Sequence, residues 1–272
     1  VSRTWFRIAL ALDGDRPTLV AAAGGSLGEA LAAARKSAPT AWPVAAARIA
    51  EDAIPLGESV GRSGVVELGA APEGTPTFRW PAGVLPALGP GAAVGRIGHT
   101  ARRADGLSVI EAQTDHGHLH ELFLAMVERI PSADNLEVRV LEHFDGGAPA
   151  TTDVWLTSRI DGNKIIRFLD DHEDELIGNG HVELAVYARE ARGTLRLTEH
   201  KTVAWVAEDP AHDEVIARSF ARLGLPEIEV LPTVAGGPHF HFRGAKSRSR
   251  KALGDHLYRQ RLRRVDVIKG RS

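Results

Sequence analysis

Apolar residues along 119–130 recur at the spacing of one helix face. Leu119, Leu122, Phe123, Met126, Val127 and Ile130 follow the i, i+3, i+4, i+7 rule, which predicts an amphipathic helix over 116–130 closed by Pro131. Beyond it the pattern changes to alternation and β-branched runs. Strands are predicted at 136–144 (LEVRVLEHF) and 152–160 (TDVWLTSRI), followed by a helix at 164–177. The order then repeats, with strands at 182–189 and 194–207 and a helix at 211–223 entered through Asp209-Pro210. Two successive strand–strand–helix units of similar length, starting near Glu137 and Glu183, predict a duplicated ββα motif. Short strands at 227–231 (EIEVL) and 238–243 (PHFHFR) and a last helix over 246–269 complete the pattern.

The N-terminal part reads differently. FRIALAL, a turn at Asp13-Gly14-Asp15 and TLVAAA predict a hairpin, followed by a helix at 27–37. A second helix is expected at 44–53, ending before Pro55. From there to 106 the chain is dense in Gly and Pro, a loop-rich stretch with one strand at 64–69. The expected fold is therefore α+β, a mixed or antiparallel sheet with helices on one face. Its regions are 1–106 (a Gly/Pro/Ala-rich α/β part), 107–245 (the duplicated sheet) and 246–272 (a basic C-terminal helix).

Composition narrows the chemistry. The chain has 272 residues, 43% hydrophobic and 25% charged, ordinary values for a packed fold. It has no cysteine, so disulfides and thiolate metal sites are excluded and any metal must use His, Asp or Glu. Its longest charge-free stretches, such as 80–95, are broken by Pro and Gly and fall short of the ~18 residues of a membrane span. Arg7 interrupts the first apolar run, so no leader is expected and a cytoplasmic location without membrane contact follows. Arg outnumbers Lys 27 to 6 and Ala is abundant, a usage that suggests a high-G+C bacterial genome.

Charge is unevenly placed. Residues 243–272 hold eleven Lys or Arg against Asp255 and Asp266, a local +9 that leaves −11 on the rest of a chain whose net charge is −2. Such asymmetry points to an anionic partner or to the basic segment docking on its own body. Arg248, Arg250, Lys251, Arg259, Arg261, Arg263 and Arg264 are the expected contacts, either with an acidic protein surface or with nucleic acid. The acidic run DDHEDE at 170–175 is the natural internal docking site.

Three motifs raise catalytic or metal readings. GGSLG at 24–28 has the G-x-S-x-G spelling of a nucleophile elbow, which makes Ser26 a candidate nucleophile. A second match at Gly57–Gly61 lowers its specificity, and only 25 residues precede Ser26, too few for the strands such an elbow needs. The competing expectation is a capping box, with Ser26 as N-cap and Glu29 three residues on. DHGHLHE at 115–121 and HFH at 239–241 bring His116, His120, His239 and His241 forward as candidate ligands for a divalent metal. Strand alternation puts Phe240 and Phe242 on one face and the two histidines on the other.

The leading expectation is a non-enzymatic interaction or scaffold protein that engages an acidic surface through its basic C-terminal helix, with no cofactor. A metal-dependent hydrolase built on the histidines, and a nucleic-acid-binding protein using the basic segment, are the alternatives.

Overall fold

Small apolar side chains dominate the first fifty residues, and they suit a thin sheet covered by one helix. The structure is a computed structural model that describes residues 3–12, 16–54, 64–145 and 151–269. Thr4–Ala11 (β1) and Thr18–Gly24 (β2) form the expected hairpin, with Ile8 opposite Val20. Helix α1, Leu27–Ser37, packs Leu27, Ala30, Leu31 and Ala34 onto Phe6, Ile8 and Val20.

The helix expected over 44–53 is a strand. Trp42–Ile49 (β3) pairs antiparallel with β1, followed by a 3₁₀ turn at Glu51–Ala53. Its alanines favour a helix in isolation, but Val44, Ala45 and Ala46 are fully buried in the sheet, and tertiary pairing overrides propensity. Val65–Ala70 (β4) completes the order β3-β1-β2-β4. The second G-x-S-x-G match lies outside the described residues.

The larger sheet has eight antiparallel strands. They are Gly98–Ala104 (β6), Leu107–Gln113 (β7), Ala133–Val140 (β8), Thr151–Leu156 (β9), Val182–Ala188 (β10), Gly193–Leu197 (β11), Val203–Ala207 (β12) and Arg263–Lys269 (β14), in the order β14-β9-β8-β10-β11-β12-β7-β6. Three-residue strands Val84–Pro86 (β5) and His239–His241 (β13) pair separately. The helices are Leu119–Arg129 (α2), Gly162–Asp170 (α3), Glu173–Leu176 (α4), Asp213–Arg222 (α5) and Arg250–Arg259 (α6).

Alternation divides the large sheet's faces. Val138, Leu184, Leu195 and Trp205 share one core with Phe123 of α2, Ile165 of α3, Phe220 of α5 and Leu257 of α6. The intervening residues of β8 and β10 carry polar side chains on the other face, where the Tyr187 hydroxyl donates to Glu137 at 2.7 Å. This is the α+β arrangement with helices on one face. The two expected units adjoin where β8 pairs with β10, but only the first is strand–strand–helix, β8–β9–α3; the second has three strands before its helix, β10–β11–β12–α5, so the two do not repeat element for element.

Several boundaries differ from expectation. β6 lies inside the Gly/Pro-rich region yet belongs to the large sheet, so position 107 falls within a hairpin rather than between domains. Its turn, Asp105-Gly106, has both φ angles positive (52° and 80°), the backbone for which Asp-Gly is favoured. The run 194–207 is two strands, because residues 198–202 reverse the chain. No strand forms over 227–231, where Glu227 makes only an isolated bridge to His99.

The basic segment is a helix and then an edge strand, not one helix over 246–269. Leu253 and Leu257 enter the main core, and β14 continues the sheet beside β9. Arg250 is buried beneath it. Its guanidinium donates to Asp153 Oδ2 at 3.0 Å, to the Leu141 carbonyl at 2.9 Å and to the Val140 and Thr151 carbonyls. Among the described residues no helix is long and apolar enough to cross a membrane.

Candidate metal centre

Antiparallel pairing brings the end of β8, the start of β10 and the β11–β12 turn to one edge of the large sheet, since Val140 faces Val182 and Leu197 faces Val203. Each of these ends carries a histidine. His143 sits in the 3₁₀ turn Glu142–Asp145 after β8, His181 precedes β10, and Glu199-His200 occupy the β11–β12 turn. Strand β13 reaches this edge from the other side and adds His239 and His241.

The β13 histidines are held by their phenylalanine neighbours. Phe240 and Phe242 pack against the core that includes Phe6 and Leu85, so His239 and His241 face the other way, as alternation requires. They are half-buried among other histidines rather than solvated. The backbone is laced tightly here: Phe242 donates its N–H to Gly83 at 2.8 Å, and Gly180 donates to Phe242 at 2.9 Å. A Cβ on Gly180 would lie 1.9 Å from the Gly83 carbonyl oxygen, so only glycine allows this approach.

Hydrogen bonds assign the tautomers. His239 Nδ1 lies 2.8 Å from the Gly237 carbonyl oxygen, and His241 Nδ1 lies 2.8 Å from that of Gly180. A carbonyl only accepts, so both Nδ1 atoms carry a proton, and wherever the ring is neutral its Nε2 presents a lone pair. Those two Nε2 atoms face each other at 3.1 Å. With His200 they form a three-histidine group whose ligand atoms all lie within 4.8 Å of one another. A second such group, His143, Glu199 and His241, shares His241. It has less need of a cation, because His143 Nε2 and Glu199 Oε2 already satisfy each other at 2.8 Å.

Burial disfavours protonation of three of the histidines: it holds His241 down to about 4 and His181 down to about 3, and lowers His200 as well. The His143 hydrogen bond holds Glu199 down to about 2, so it remains a carboxylate. With His143 Nε2–H donating to Glu199, His143 Nδ1 is the acceptor for His181 Nδ1–H at 2.6 Å. Lys201, fully buried and held down to about 7 by that burial, ties the two turns together. Its Nζ donates to the Asn179 carbonyl at 2.6 Å and the Val182 carbonyl at 3.2 Å.

Acid should therefore weaken the metal-free fold. Unfolded His181 and His241 take up a proton near 6.5, the folded ones only near 3 and 4, so the unfolded state binds more protons in that interval. The contribution is complete above 6.5 and is lost as pH falls through the folded values. We expect the urea midpoint of the metal-free chain to fall steadily from about pH 7 to pH 4; a level profile would contradict these assignments.

Ser26 lines the same cavity as the histidines, a space of about 490 Å³. Its Oγ accepts the Glu29 N–H at 3.3 Å, and the Glu29 carboxylate accepts the Gly25 N–H at 2.8 Å, which together make a capping box. Ser26→Ala is expected to cost about 1 kcal/mol of stability in a denaturant titration. A fluorophosphonate probe should leave the wild-type chain unlabelled.

The remaining expected residues lie elsewhere. His116 precedes α2, so the i, i+4 helical pair with His120 does not form. Its ring lies 4.4 Å from that of Trp42, while His120 sits 3.3 Å from both Asp170 and Glu173. Both line a separate cavity of about 330 Å³ with Arg35, Arg79 and Trp42. In the basic segment, Arg248 meets Glu175 of the acidic run at 3.0 Å, Arg250 and Arg264 converge on Asp153, and Lys251 pairs with Asp255 along α6. Arg259, Arg261 and Arg263 are exposed.

His143, His181, Glu199 and His200 were not singled out by the sequence. Expected strands ran through His143, Glu199 and His200, and His181 lay just before another; the available signal was a histidine at or beside the end of three strands on one sheet edge. What the fold and this site define is an α+β protein with a histidine-rich centre at the edge of its larger sheet. Compared with protein-family models, curated proteins and solved structures, the chain matches none.

Proposed function

We propose that the chain is a metal-dependent hydrolase whose zinc-type ion is held by His200, His239 and His241. The observation that carries this is the pair of Nε2 lone pairs 3.1 Å apart. Two neutral acceptors head-on repel, and a cation between them removes the conflict. With bonds of about 2.0–2.1 Å, that separation corresponds to an N–metal–N angle of about 100°, close to tetrahedral. Three neutral imidazoles suit zinc, and three protein ligands leave a fourth position for water.

The adjacent relay supports hydrolysis over mere metal storage. His181 lines the cavity, and its Nε2, oriented through Nδ1–H by His143 and the Glu199 carboxylate, can accept a hydrogen bond from a metal-bound water. Such a water, its pKa lowered by the ion, would give up a proton to solvent and attack an electrophilic centre as hydroxide. The bond to the leaving group breaks, and the leaving group takes a proton in turn.

The test is hydrolysis of a panel of chromogenic carboxylic and phosphoric esters before and after chelation. Turnover lost with the metal, restored by zinc and absent in His239→Ala supports the reading. Stoichiometric zinc with no turnover on any ester would reduce it to a metal-binding protein. The basic segment gives less support to a binding role, since three of its seven singled-out residues are engaged by Glu175 and Asp153.

A further inference from the structure

At the edge of the large sheet opposite the histidines, we infer a surface for the backbone of a single-stranded nucleic acid, formed by Arg259, Arg261 and Arg263 with Tyr258 as a stacking platform. This does not rest on the metal reading. Internal pairing sorts the basic segment. Arg248, Arg250 and Arg264 meet Glu175 or Asp153, and Lys251 meets Asp255. Arg259, Arg261 and Arg263 are exposed, and none of them forms an ion pair among the described residues.

The turn that carries them is built against local preference. Helix α6 ends in a Schellman cap: the Leu262 N–H donates to the Leu257 carbonyl at 3.0 Å and the Arg261 N–H to that of Tyr258 at 2.9 Å. The left-handed position of such a cap is usually glycine, and here it is Arg261, with φ of 66°. Leu262 follows and is buried in the core beside Leu257, so packing accounts for the leucine and not for the arginine. An arginine held in a conformation that disfavours it, exposed and without a carboxylate partner, is kept for a contact outside the chain.

Neighbouring strand ends extend the positive surface. Arg263 pairs in register with Leu156 at the end of β9, and β8 begins and β10 ends at the same edge. Arg159 follows β9 and Arg189 follows β10; their side chains are 69% and 66% exposed, and they share one buried carboxylate, Asp134, at 3.6 and 3.4 Å. The other carboxylates beside them are engaged, Asp161 by the α3 cap and Lys164, Glu190 by the Ser132 hydroxyl. Past β10 the surface turns neutral, with Arg192 paired to Glu208. Four strands at about 4.8 Å spacing make a strip of roughly 14 Å, long enough for several consecutive phosphates.

Tyr258 selects nucleic acid over an acidic protein segment. It is 71% exposed, immediately before Arg259, and its ring offers a flat face on which any base can stack. Guanidinium forks take phosphate oxygens in pairs. An acidic peptide would answer the charges and leave the ring unused.

The test is fluorescence anisotropy of a labelled oligothymidine of about twelve nucleotides with the full chain, in chelator, across a salt series. Binding is expected at low salt, with a log–log salt slope near −2 for roughly three phosphates. Arg261→Gly should weaken it about fivefold or more while raising the urea midpoint, because glycine relieves the cap. Tyr258→Ala should also weaken it about fivefold or more, with the slope unchanged. No binding at low salt, undiminished binding in Arg261→Gly, or displacement of the oligonucleotide by polyglutamate as readily as by unlabelled oligothymidine overturns the inference. None of these outcomes touches the metal centre.

Discussion

His241→Ala is expected to weaken zinc binding by more than about 100-fold, since even losing a residue that only orients a ligand typically costs 10–100-fold. Among the described residues His241 belongs to both groups able to hold an ion, so no rearrangement within the cluster replaces it. The same substitution removes a half-buried neutral histidine, which should leave the metal-free chain folded and somewhat less sensitive to acid. His120→Ala is the matched control: it is a histidine near acidic groups on α2, outside both groups, and zinc affinity should be unchanged. Equilibrium competition with a chromophoric chelator measures both.

Arg250→Ala is expected to destabilise the fold by about 3–5 kcal/mol, the usual cost of removing one partner from a buried ion pair. Arg250 is only 8% exposed, and without it three backbone carbonyls lose a donor and Asp153 keeps only the more exposed Arg264. Lys251→Ala, one residue away, is expected to change stability by less than about 0.5 kcal/mol because its pair with Asp255 is exposed. A urea titration of the two variants separates a segment built into the core from one merely attracted to an acidic surface. Equal small effects would mean that the segment contributes charge and little else.

The sequence made the main elements legible where periodicity was strong and local. Helix α2 follows from six apolar residues at fixed spacing, α1 from its capping box, and the face of β13 from strict alternation of His and Phe. What it did not disclose depended on distant partners. β3 reads as helix because alanines prefer one, and becomes a strand only when β1 supplies the edge. The β11–β12 turn was hidden inside what reads as one strand over 194–207, since Glu199, His200 and Lys201 are residues that a longer strand could also carry on an open face.

Half of the centre was visible and half was not, for the same reason. His239 and His241 announced themselves by adjacency, whereas His143, His181 and His200 are scattered singly over nearly sixty residues. They converge only because antiparallel pairing returns every second strand end to one edge of the sheet. Lys201 is equally silent in sequence: a lone lysine reads as surface, yet it is fully buried, where it fixes the spacing between the two turns that carry His181 and His200.

The central claim is that three imidazoles bind one ion, and X-ray absorption at the zinc edge of the zinc-loaded chain tests it most directly. The account predicts one zinc per chain with three imidazole nitrogens and one oxygen ligand at about 2.0–2.1 Å. Substoichiometric zinc, or a shell of carboxylate and water oxygens without the multiple scattering of imidazole rings, would contradict it.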